Sequence, residues 1–455
     1  EAERIGGCAG DCGLSGPGGT VDGDEHRQCH DRAMKLLRPL RERDFALLWT
    51  GMTVSLLGDG VFLVALAWQV YDLSNDPVAL SLVGTAWALG MVAFLLAGGL
   101  ISDRVERRRV LVVADVIRAA ALVAMGVLSL TGVVEVWHLV ALSVFMGIGE
   151  AFFGPAFGAL VPDVVATEHL VQANALDQLV RQAAARLAGP ALGGLVVAVV
   201  GVGGAFLLNA GTFLLSAACV AALRVRSIPQ ARARSARREL REGLDFVRGE
   251  PWLWSTLVAA SLSLLFFLGP LEVLLPFIVR NELHAGPGGY GAILAAAGVG
   301  AVLISLALSQ TGVPRRYLTF AYAGWTIGTL PFLGFALCDQ LWQFALLSFV
   351  YGVCETAGMV VWGTLMSTRV PAELRGRVHS LDWFVSIALT PISFALTGPV
   401  SKAIGIDATL VLAGVVPAVA CVVLYVVAGL RRDEERHAGA VSGASTTGAS
   451  TPAIS

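Results

Sequence analysis

Five ionisable residues stand inside stretches that are otherwise strongly apolar: Asp59, Glu150, Arg186, Glu272 and Glu355. A charged side chain in the middle of a membrane-spanning helix costs about 2.5–3.5 kcal/mol, so its presence calls for a partner or a function. Buried carboxyl groups also exchange protons near neutral pH. We therefore predict that these residues bind protons or a substrate, with Asp59 ranked first and Glu150, Glu355 and Glu272 after it. In the competing interpretation, helix ends or Arg186 neutralise some of these acids structurally.

Asp59 lies near the centre of its apolar run, in the sequence LLGDGVF. At that depth a carboxyl group must be protonated, paired or solvated. Its neighbours Gly58 and Gly60 carry no side chains, and we expect them to leave room for water or substrate. In the alternative interpretation, Asp59 is the structural partner of Arg186 or of another buried base.

The elements that would carry these residues are long apolar helices. The chain has 455 residues, of which 56% are hydrophobic and 15% charged. Runs of about 20 residues cross a bilayer as helices, because a helix satisfies its own backbone hydrogen bonds in lipid. The sequence predicts an all-α membrane protein with twelve spans. They cover residues 46–71, 78–102, 110–132, 137–160, 177–200, 203–223, 253–278, 289–312, 317–338, 340–366, 377–400 and 406–429.

The basic residues orient this arrangement. The loops on the side of both termini hold 24 Lys and Arg residues, whereas the opposite loops hold two, Arg280 and Lys402. Positively charged loops stay in the cytoplasm. We therefore expect both termini to be cytoplasmic.

The chain divides into five segments by composition. Residues 1–33 are Gly-rich and polar and are interpreted as a disordered leader or upstream extension, and residues 430–455 as a disordered cytoplasmic tail. Two six-helix bundles, 34–223 and 253–429, flank a cytoplasmic linker, 224–252, in which Leu240, Leu244 and Val247 are spaced as in an amphipathic helix.

The two bundles repeat each other in sequence. SVFMGIGE at 143–150 parallels SFVYGVCE at 348–355, and SDRVERRRVL at 102–111 parallels SQTGVPRRYL at 309–318. The near-constant offset indicates a duplicated six-helix unit. Two similar bundles around a central site are typical of transporters that work by alternating access.

The sequence GLISDRVERRRVL resembles the loop motif between the second and third spans of the major facilitator superfamily. Gly99, Asp103, Arg104, Arg107 and Arg108 match its consensus places, while Glu106 stands where a glycine is usual. The resemblance covers roughly residues 35–430. ADVIRA at 114–119 and GLDFVRGEPWL at 243–253 look like the branch that contains the enterobactin exporter and macrolide-efflux-type proteins.

The resemblance implies a gate at the cytoplasmic end of the second span. Asp103 is expected beside the start of the eleventh span, near Arg375 and Arg377, where it would hold the cytoplasmic side closed. Asp115 and Arg118, one turn apart, would extend this network. For Arg107, Arg108 and Arg109, enforcement of membrane topology is an equally good interpretation.

LAGPALGG at 187–194 resembles the span 5 motif of drug/proton antiporters, with Ala185 in place of its first glycine. Gly189, Pro190, Gly193 and Gly194 would form a bent, closely packed surface on which one bundle rocks. The alternative is ordinary tight packing. The span 4 motif of these antiporters usually has an arginine where Ser143 stands.

By this resemblance the chain is expected to be a proton-coupled transporter of the bacterial inner membrane that exports hydrophobic or amphiphilic molecules such as antibiotics. Its partners would be the small-molecule substrate, protons and the lipid bilayer, with no nucleic acid and no cofactor besides the proton gradient, and it would act as a monomer. The alternatives are a dedicated siderophore or secondary-metabolite exporter and a non-transporting membrane sensor. An enzyme is not expected, because the sequence has no P-loop, HExxH or GxSxG motif.

Overall fold

The computed structural model describes residues 38–102, 105–166, 169–224 and 236–436, and in these ranges the secondary structure is helical, with no strand. The N-terminal half (residues 38–224) contains α1 Arg43–Leu73, α2 Pro77–Ser102, α3 Arg107–Thr131, α4 Val136–Val164, α5 Leu170–Val180, a π-helical segment Arg181–Ala188, and α6 Gly189–Ala221. The linker carries α7 Ala236–Gly249. The C-terminal half (residues 251–436) contains α8 Pro251–Gly269, a π-helical segment Pro270–Leu274, α9 Leu275–Asn281, α10 Pro287–Thr311, α11 Tyr317–Thr329, α12 Pro331–Phe335, α13 Leu341–Thr368, α14 Ala372–Ala388, α15 Thr390–Ile404 and α16 Ile406–Val427.

Ten helices within the described residues are long and apolar enough to cross a membrane. Two of the expected spans, 177–200 and 203–223, fall in one of these ten, Arg181–Ala221, which is broken at Gly201 by a positive φ of 74°. The expected span 317–338 is interrupted near Pro331, where α11 ends and α12 begins. The count of twelve crossings therefore stays a prediction.

The duplicated unit has the same backbone packing in both halves. A Cβ on Gly147 of α4 would lie 2.0 Å from the carbonyl oxygen of Trp87 in α2, and one on Gly352 of α13 would lie 2.0 Å from that of Ala297 in α10. Gly90 and Gly300 repeat this relation in the opposite direction, against the carbonyls of Val144 and Phe349. Glycine is required at these places because the helix backbones touch.

The same repeat governs how two helices start. The side chains of Glu135 before α4 and Gln340 before α13 each accept a hydrogen bond from the backbone N–H of the third helical residue. In return, their own backbone N–H groups donate to the side chains of His138 and Gln343, respectively. Such reciprocal capping satisfies backbone donors that the first turn leaves free.

Within the described residues, the buried side chains form three clusters, and these clusters distinguish the two ends of the molecule. We call the end where α3 and α14 begin the basic end, and the opposite one the far end. At the basic end each half has its own cluster, one around Leu48 and Leu160, the other around Trp252 and Val361. At the far end a single cluster contains residues of both halves. The halves are thus joined at the far end and packed separately at the basic end.

The linker contains a helix, and a second helix stands at the start of the tail. Helix α7 packs on α14: Val247 is buried and Glu242 forms an ion pair with Arg377. The prediction that residues 430–455 are disordered is wrong for 430–436, which are helical. Leu430 is fully buried, and Glu434 accepts hydrogen bonds from the backbone N–H and the hydroxyl of Thr319, which fixes this segment against α11. Residues 1–33, 225–235 and 437–455 lie outside the described residues.

Candidate functional site

Halfway through the N-terminal half, an arginine is held between two acids. Arg118 of α3 donates to Asp115 one turn earlier, at 2.6 Å, and to Glu150 of α4, at 3.2 Å. The side chains of Arg118 and Asp115 are 3% and 0% exposed, whereas Glu150 is 44% exposed. The inner acid is therefore enclosed by the protein, whereas the outer acid lies at the protein surface.

The surroundings of Arg118 explain how a guanidinium is kept at this depth. Its Cζ lies 4.6 Å from the ring centre of Phe153 and 4.2 Å from that of Phe213, so two aromatic faces cover it. A Cβ on Gly149 would come within 2.4 Å of its side chain, and only glycine lets Arg118 lie flat on α4. The pair was assigned to the gate network from the sequence, and the structure places it beside Glu150.

Asp59 of α1 is half-buried and lies within electrostatic range of Arg118, Glu150 and Asp115. The expectation that its glycine neighbours leave open space is wrong. A Cβ on Gly58 would lie 2.0 Å from Oδ1 of Asn209 in α6, and one on Gly60 would lie 2.5 Å from the backbone of Gly189. These glycines serve close helix packing, which holds Asp59 rigidly in place.

A second ion pair joins the two halves at the same depth. Arg186, in the π-helical segment before α6, donates to Glu355 of α13 at 3.3 Å. Arg186 is 47% exposed and Glu355 is 15% exposed. Both residues were predicted as site residues, and the structure makes them partners of each other. The buried base that acts on Asp59 is Arg118.

Glu272 lies in the π-helical segment that interrupts the long helix Pro251–Asn281. It is half-buried and acts electrostatically on Tyr290 and on Tyr351, which also interacts with Arg186 and Glu355. The Tyr351 ring packs edge-on against Phe332, with 6.2 Å between ring centres. A polar strip therefore runs from the ion pair toward Glu272 along an aromatic wall.

At the far end, polar contacts reinforce the joint between the halves. Their partners come from the ends of α1 and α2 on one side and of α9 and α15 on the other. The contacts are Asp72–Arg280 at 2.6 Å, Asp76–Lys402 at 2.5 Å, Asn75–Asn281 at 2.8 Å, and the Tyr71 hydroxyl on the carbonyl of Val273 at 2.6 Å. Arg280 and Lys402, expected in the loops of the non-cytoplasmic side, are thus both part of this closure.

The motif of residues 187–194 contacts both halves. Gly189 and Gly193 pack on α1, where their Cβ positions lie 2.9 Å from Gly60 and 3.0 Å from Val61. Gly194 packs on α10 of the other half, where its Cβ position lies 2.8 Å from the carbonyl oxygen of Pro287. The carbonyl of Pro190 likewise approaches α10. The motif therefore lies between the body of its own half and the surface of the other half.

The predicted gate residues that the structure describes bind within their own half. Arg107 reaches Asp163 of α4 at 2.8 Å, and Arg108 donates to the carbonyl of Leu223 at 2.7 Å. Gly99 lies in the last turns of α2. Asp103 and Arg104 lie outside the described residues, so the gate stays a prediction.

Sequence reasoning missed the counter-ions more than the acids. The polar far-end residues were missed because spacing along the chain does not show which charges of different loops meet. Tyr351 was missed since a tyrosine in an apolar run looks like packing. For Arg118, the signal was present: an acid and a base one turn apart inside an apolar helix form a pair.

Residues 34–442 match the family described as transmembrane secretion effector, which is nearly the whole chain. The chain belongs to this family of the major facilitator superfamily. Among curated relatives, the multidrug efflux pump Tap of Mycolicibacterium fortuitum is 30% identical over 80% of this chain and 90% of its own length. Macrolide efflux protein A of Streptococcus pyogenes is 22% identical, over 81% of this chain and 92% of its own length.

Solved structures agree on the fold. A bacterial homologue of the iron transporter ferroportin, solved in an inward-facing state, has a TM-score of 0.64 at 16% identity and covers 84% of this chain and 98% of its own. A bacterial homologue of the lysosomal transporter Spinster, inward-facing and unoccupied, has a TM-score of 0.62 at 14% identity and covers 88% and 97%. The family and the helices identify a multi-pass membrane transporter, which is not an enzyme class.

Proposed function

We propose that this transporter is a proton-coupled exporter of hydrophobic or amphiphilic small molecules, of the antibiotic or multidrug efflux type, working by alternating access. The observation that carries the proposal is an exposed acid at mid-depth in a molecule whose two halves, in the described residues, share a buried cluster at the far end. This acid is Glu150, 44% exposed beside the buried Arg118.

The basic end is the cytoplasmic end in this proposal, because basic loops remain in the cytoplasm. With the far end closed, the conformation is open to the cytoplasm, where the substrate enters. Rocking of the halves about the contact of Gly194 with α10 would open the far end. The substrate would leave there, while Asp59 and Glu150 take up protons to carry inward.

An excess of carboxyl groups over basic groups around Arg118 supports proton coupling. Three carboxyl groups, Asp59, Asp115 and Glu150, share the field of Arg118. Three carboxylates around one guanidinium would leave two uncompensated negative charges inside the membrane, which is costly. Protonation removes that cost. If the protonated acids are exposed to the two sides of the membrane in turn, they carry protons across it. The proton gradient is the energy source, and no cofactor is proposed.

Efflux of drugs is favoured over a dedicated metabolite exporter by the names of the relatives, which are a multidrug pump and a macrolide efflux protein. A siderophore or secondary-metabolite exporter is the second candidate, and a sensor without transport is the third. We propose a monomer in the bacterial inner membrane that contacts lipid, substrate and protons and no nucleic acid.

The test is expression in a drug-sensitive bacterial host. Resistance to several lipophilic antibiotics should rise, and a protonophore should abolish the increase. Purified protein in liposomes should extrude the same compounds only when an imposed pH gradient is present. Resistance that survives collapse of the gradient would contradict proton coupling, and liposomes that move no compound would favour the sensor. Gly211→Ala serves as a control variant, because a methyl group there meets no atom within 4 Å.

A further inference from the structure

The acids around Arg118 differ in a way that assigns them different roles. Asp115 is completely buried and contacts the guanidinium at 2.6 Å, while Glu150 contacts it at 3.2 Å and is 44% exposed. A buried acid on the same helix has no route to water, whereas an exposed acid on a neighbouring helix can exchange protons and move away.

We propose that Asp115 is a positioning residue for proton exchange: its carboxylate neutralises Arg118, so that Glu150 is free to take up and release a proton. The inference rests on the proposed proton-coupled function and specifies which acid is fixed and which exchanges. Without Asp115, the full charge of Arg118 would act on Glu150 and hold it ionised, because an opposite charge within about 4–6 Å favours the charged form.

The geometry limits Arg118 to this arrangement. Phe153 and Phe213 both pack against its guanidinium, and Gly149 leaves room for its side chain on α4. Because Gly149 and Phe153 belong to α4, they hold the guanidinium beside Glu150. Asp115, one turn away on α3 itself, holds it at the other acid.

Of the other charged groups around α4, Arg107 of α3 is paired with Asp163 at the basic end. Helix α1 contributes Asp59, which Arg118 also reaches. Helix α2 has no titratable residue between Pro77 and Ser102. From the π-helical segment, Arg181 lies over the ring of Phe157 and is paired with Asp177 at 3.0 Å. Arg118 is therefore the cation in contact with Glu150.

The Asp177–Arg181 pair provides a matched control. It is also an acid and an arginine one turn apart, with the guanidinium 5.5 Å from an aromatic ring, but it is more exposed, with Arg181 at 39% and Asp177 at 21%. Asp177→Asn removes an acid–arginine pair of the same half without touching Arg118. A shift of the Glu150 midpoint that arises from the loss of any such pair would appear with both substitutions.

The experiment is an infrared titration of the purified full-length protein between pH 4 and 9, which needs no substrate. The band of the protonated Glu150 carboxyl is identified by its loss in Glu150→Gln. In Asp115→Asn the midpoint of this band should fall by about one pH unit. In Asp115→Glu and in Asp177→Asn it should stay at the wild-type value.

A second variant keeps the test decisive if Asp115→Asn does not fold. Asp115→Asn combined with Arg118→Gln removes both charges, and the midpoint should then rise above wild type, because Glu150 loses its cation. An unchanged midpoint in either variant, or an equal shift in Asp177→Asn, would overturn the inference. So would the lack of a Glu150 band in wild-type protein at every pH. If the band behaves as expected while wild-type efflux of ethidium ignores a protonophore, only the proposed coupling fails.

Discussion

Arg186 of the N-terminal half contacts Glu355 of the C-terminal half, N to O, at 3.3 Å and at mid-depth. Glu355 occupies in the second repeat the place that Glu150 occupies in the first. Glu150 finds its arginine within its own half, and Glu355 finds one across the interface. Duplicated positions have therefore acquired different partners, and the second one links the two bundles.

Removal of this cross-half pair should change conformation more than folding. In Glu355→Gln the charge attraction that holds the halves together at mid-depth is lost, and we expect slower efflux with normal membrane insertion. Spin labels at Arg109 and Arg431, both exposed at the basic end, should report a broader distance distribution. Arg186→Gln should give the same distribution, since it breaks the same bond. Opposite effects of the two variants would contradict a shared role.

Asp59→Asn should insert normally, retain downhill exchange of substrate, and lose proton-driven efflux. The reason is that the amide cannot carry a proton, while the packing of Gly58 and Gly60 around the residue is unchanged. Asp59→Glu should keep partial activity with a shifted pH optimum. Exchange and gradient-driven transport in liposomes measure the two properties separately. If a stable Asp59→Asn protein exports substrate at the wild-type rate at every pH, Asp59 is not the proton-coupling residue.

The far-end ion pairs should stabilise the conformation that is closed at that end. Asp72 and Asp76 are partly exposed, so each pair is worth about 0–1 kcal/mol. Removing both with Asp72→Asn and Asp76→Asn should shift the equilibrium toward far-end opening, by at most about thirtyfold. Labels at Val133 and Leu337, exposed at this end, should move apart in the double variant. An unchanged distance would show that the shared core alone closes this end.

The contact of Asp76 with Lys402 has a defined pH dependence. Partial desolvation acts to raise the pKa of Asp76, but hydrogen bonds from Lys402 and from the backbone N–H of Val78, with the charge of Lys402, hold it below its usual value. A carboxyl whose pKa is lowered in the folded state stabilises above its unfolded pKa of about 3.9, and the contribution is lost as the pH falls through the folded value. Titration of Asp76 should therefore leave the distances between far-end labels unchanged between pH 5 and 8. These distances should increase only below about pH 4. Widening near neutral pH would point to another group.

Gly194 should not tolerate a side chain. A methyl group there would lie 2.8 Å from the carbonyl of Pro287 and 2.9 Å from Cα of Gly288, both in the other half. Gly194→Ala should weaken the contact between α6 and α10 and reduce transport severalfold. Gly211→Ala, in the same helix with free space around it, should leave transport unchanged. Equal effects of the two substitutions, measured as initial efflux rates at equal expression, would argue against a special contact at Gly194.

The gate at the cytoplasmic end can be tested with cysteines. We expect Asp103→Asn to reduce transport while insertion stays normal. Cysteines at Val105 and Gly376 should cross-link when the basic end closes and not when it is open. Val105 is exposed and Gly376 has free space around it, so neither cysteine should disturb packing. No cross-link under any condition of turnover would exclude a contact between these helix ends.

The sequence by itself determined the helical membrane fold, the duplication and the positions of the acids. Length and hydropathy are sufficient for this, because a backbone in lipid has few ways to satisfy its hydrogen bonds. The offset of 205 residues between Glu150 and Glu355 survives as matching contacts of Gly147 and Gly352. Charge inside an apolar run is similarly visible without a structure, because its cost demands a reason.

Only the tertiary structure decided which charges meet. Arg118 contacts Glu150, 32 residues away, and Arg186 contacts Glu355, 169 residues away, and nothing local in the sequence distinguishes these partners. The structure also decided that neighbouring helices occupy the space beside the two glycines that flank Asp59, and that residues 430–436 pack against α11. Such contacts depend on how helices are arranged around one another, and that arrangement is set by the combined packing of the two halves.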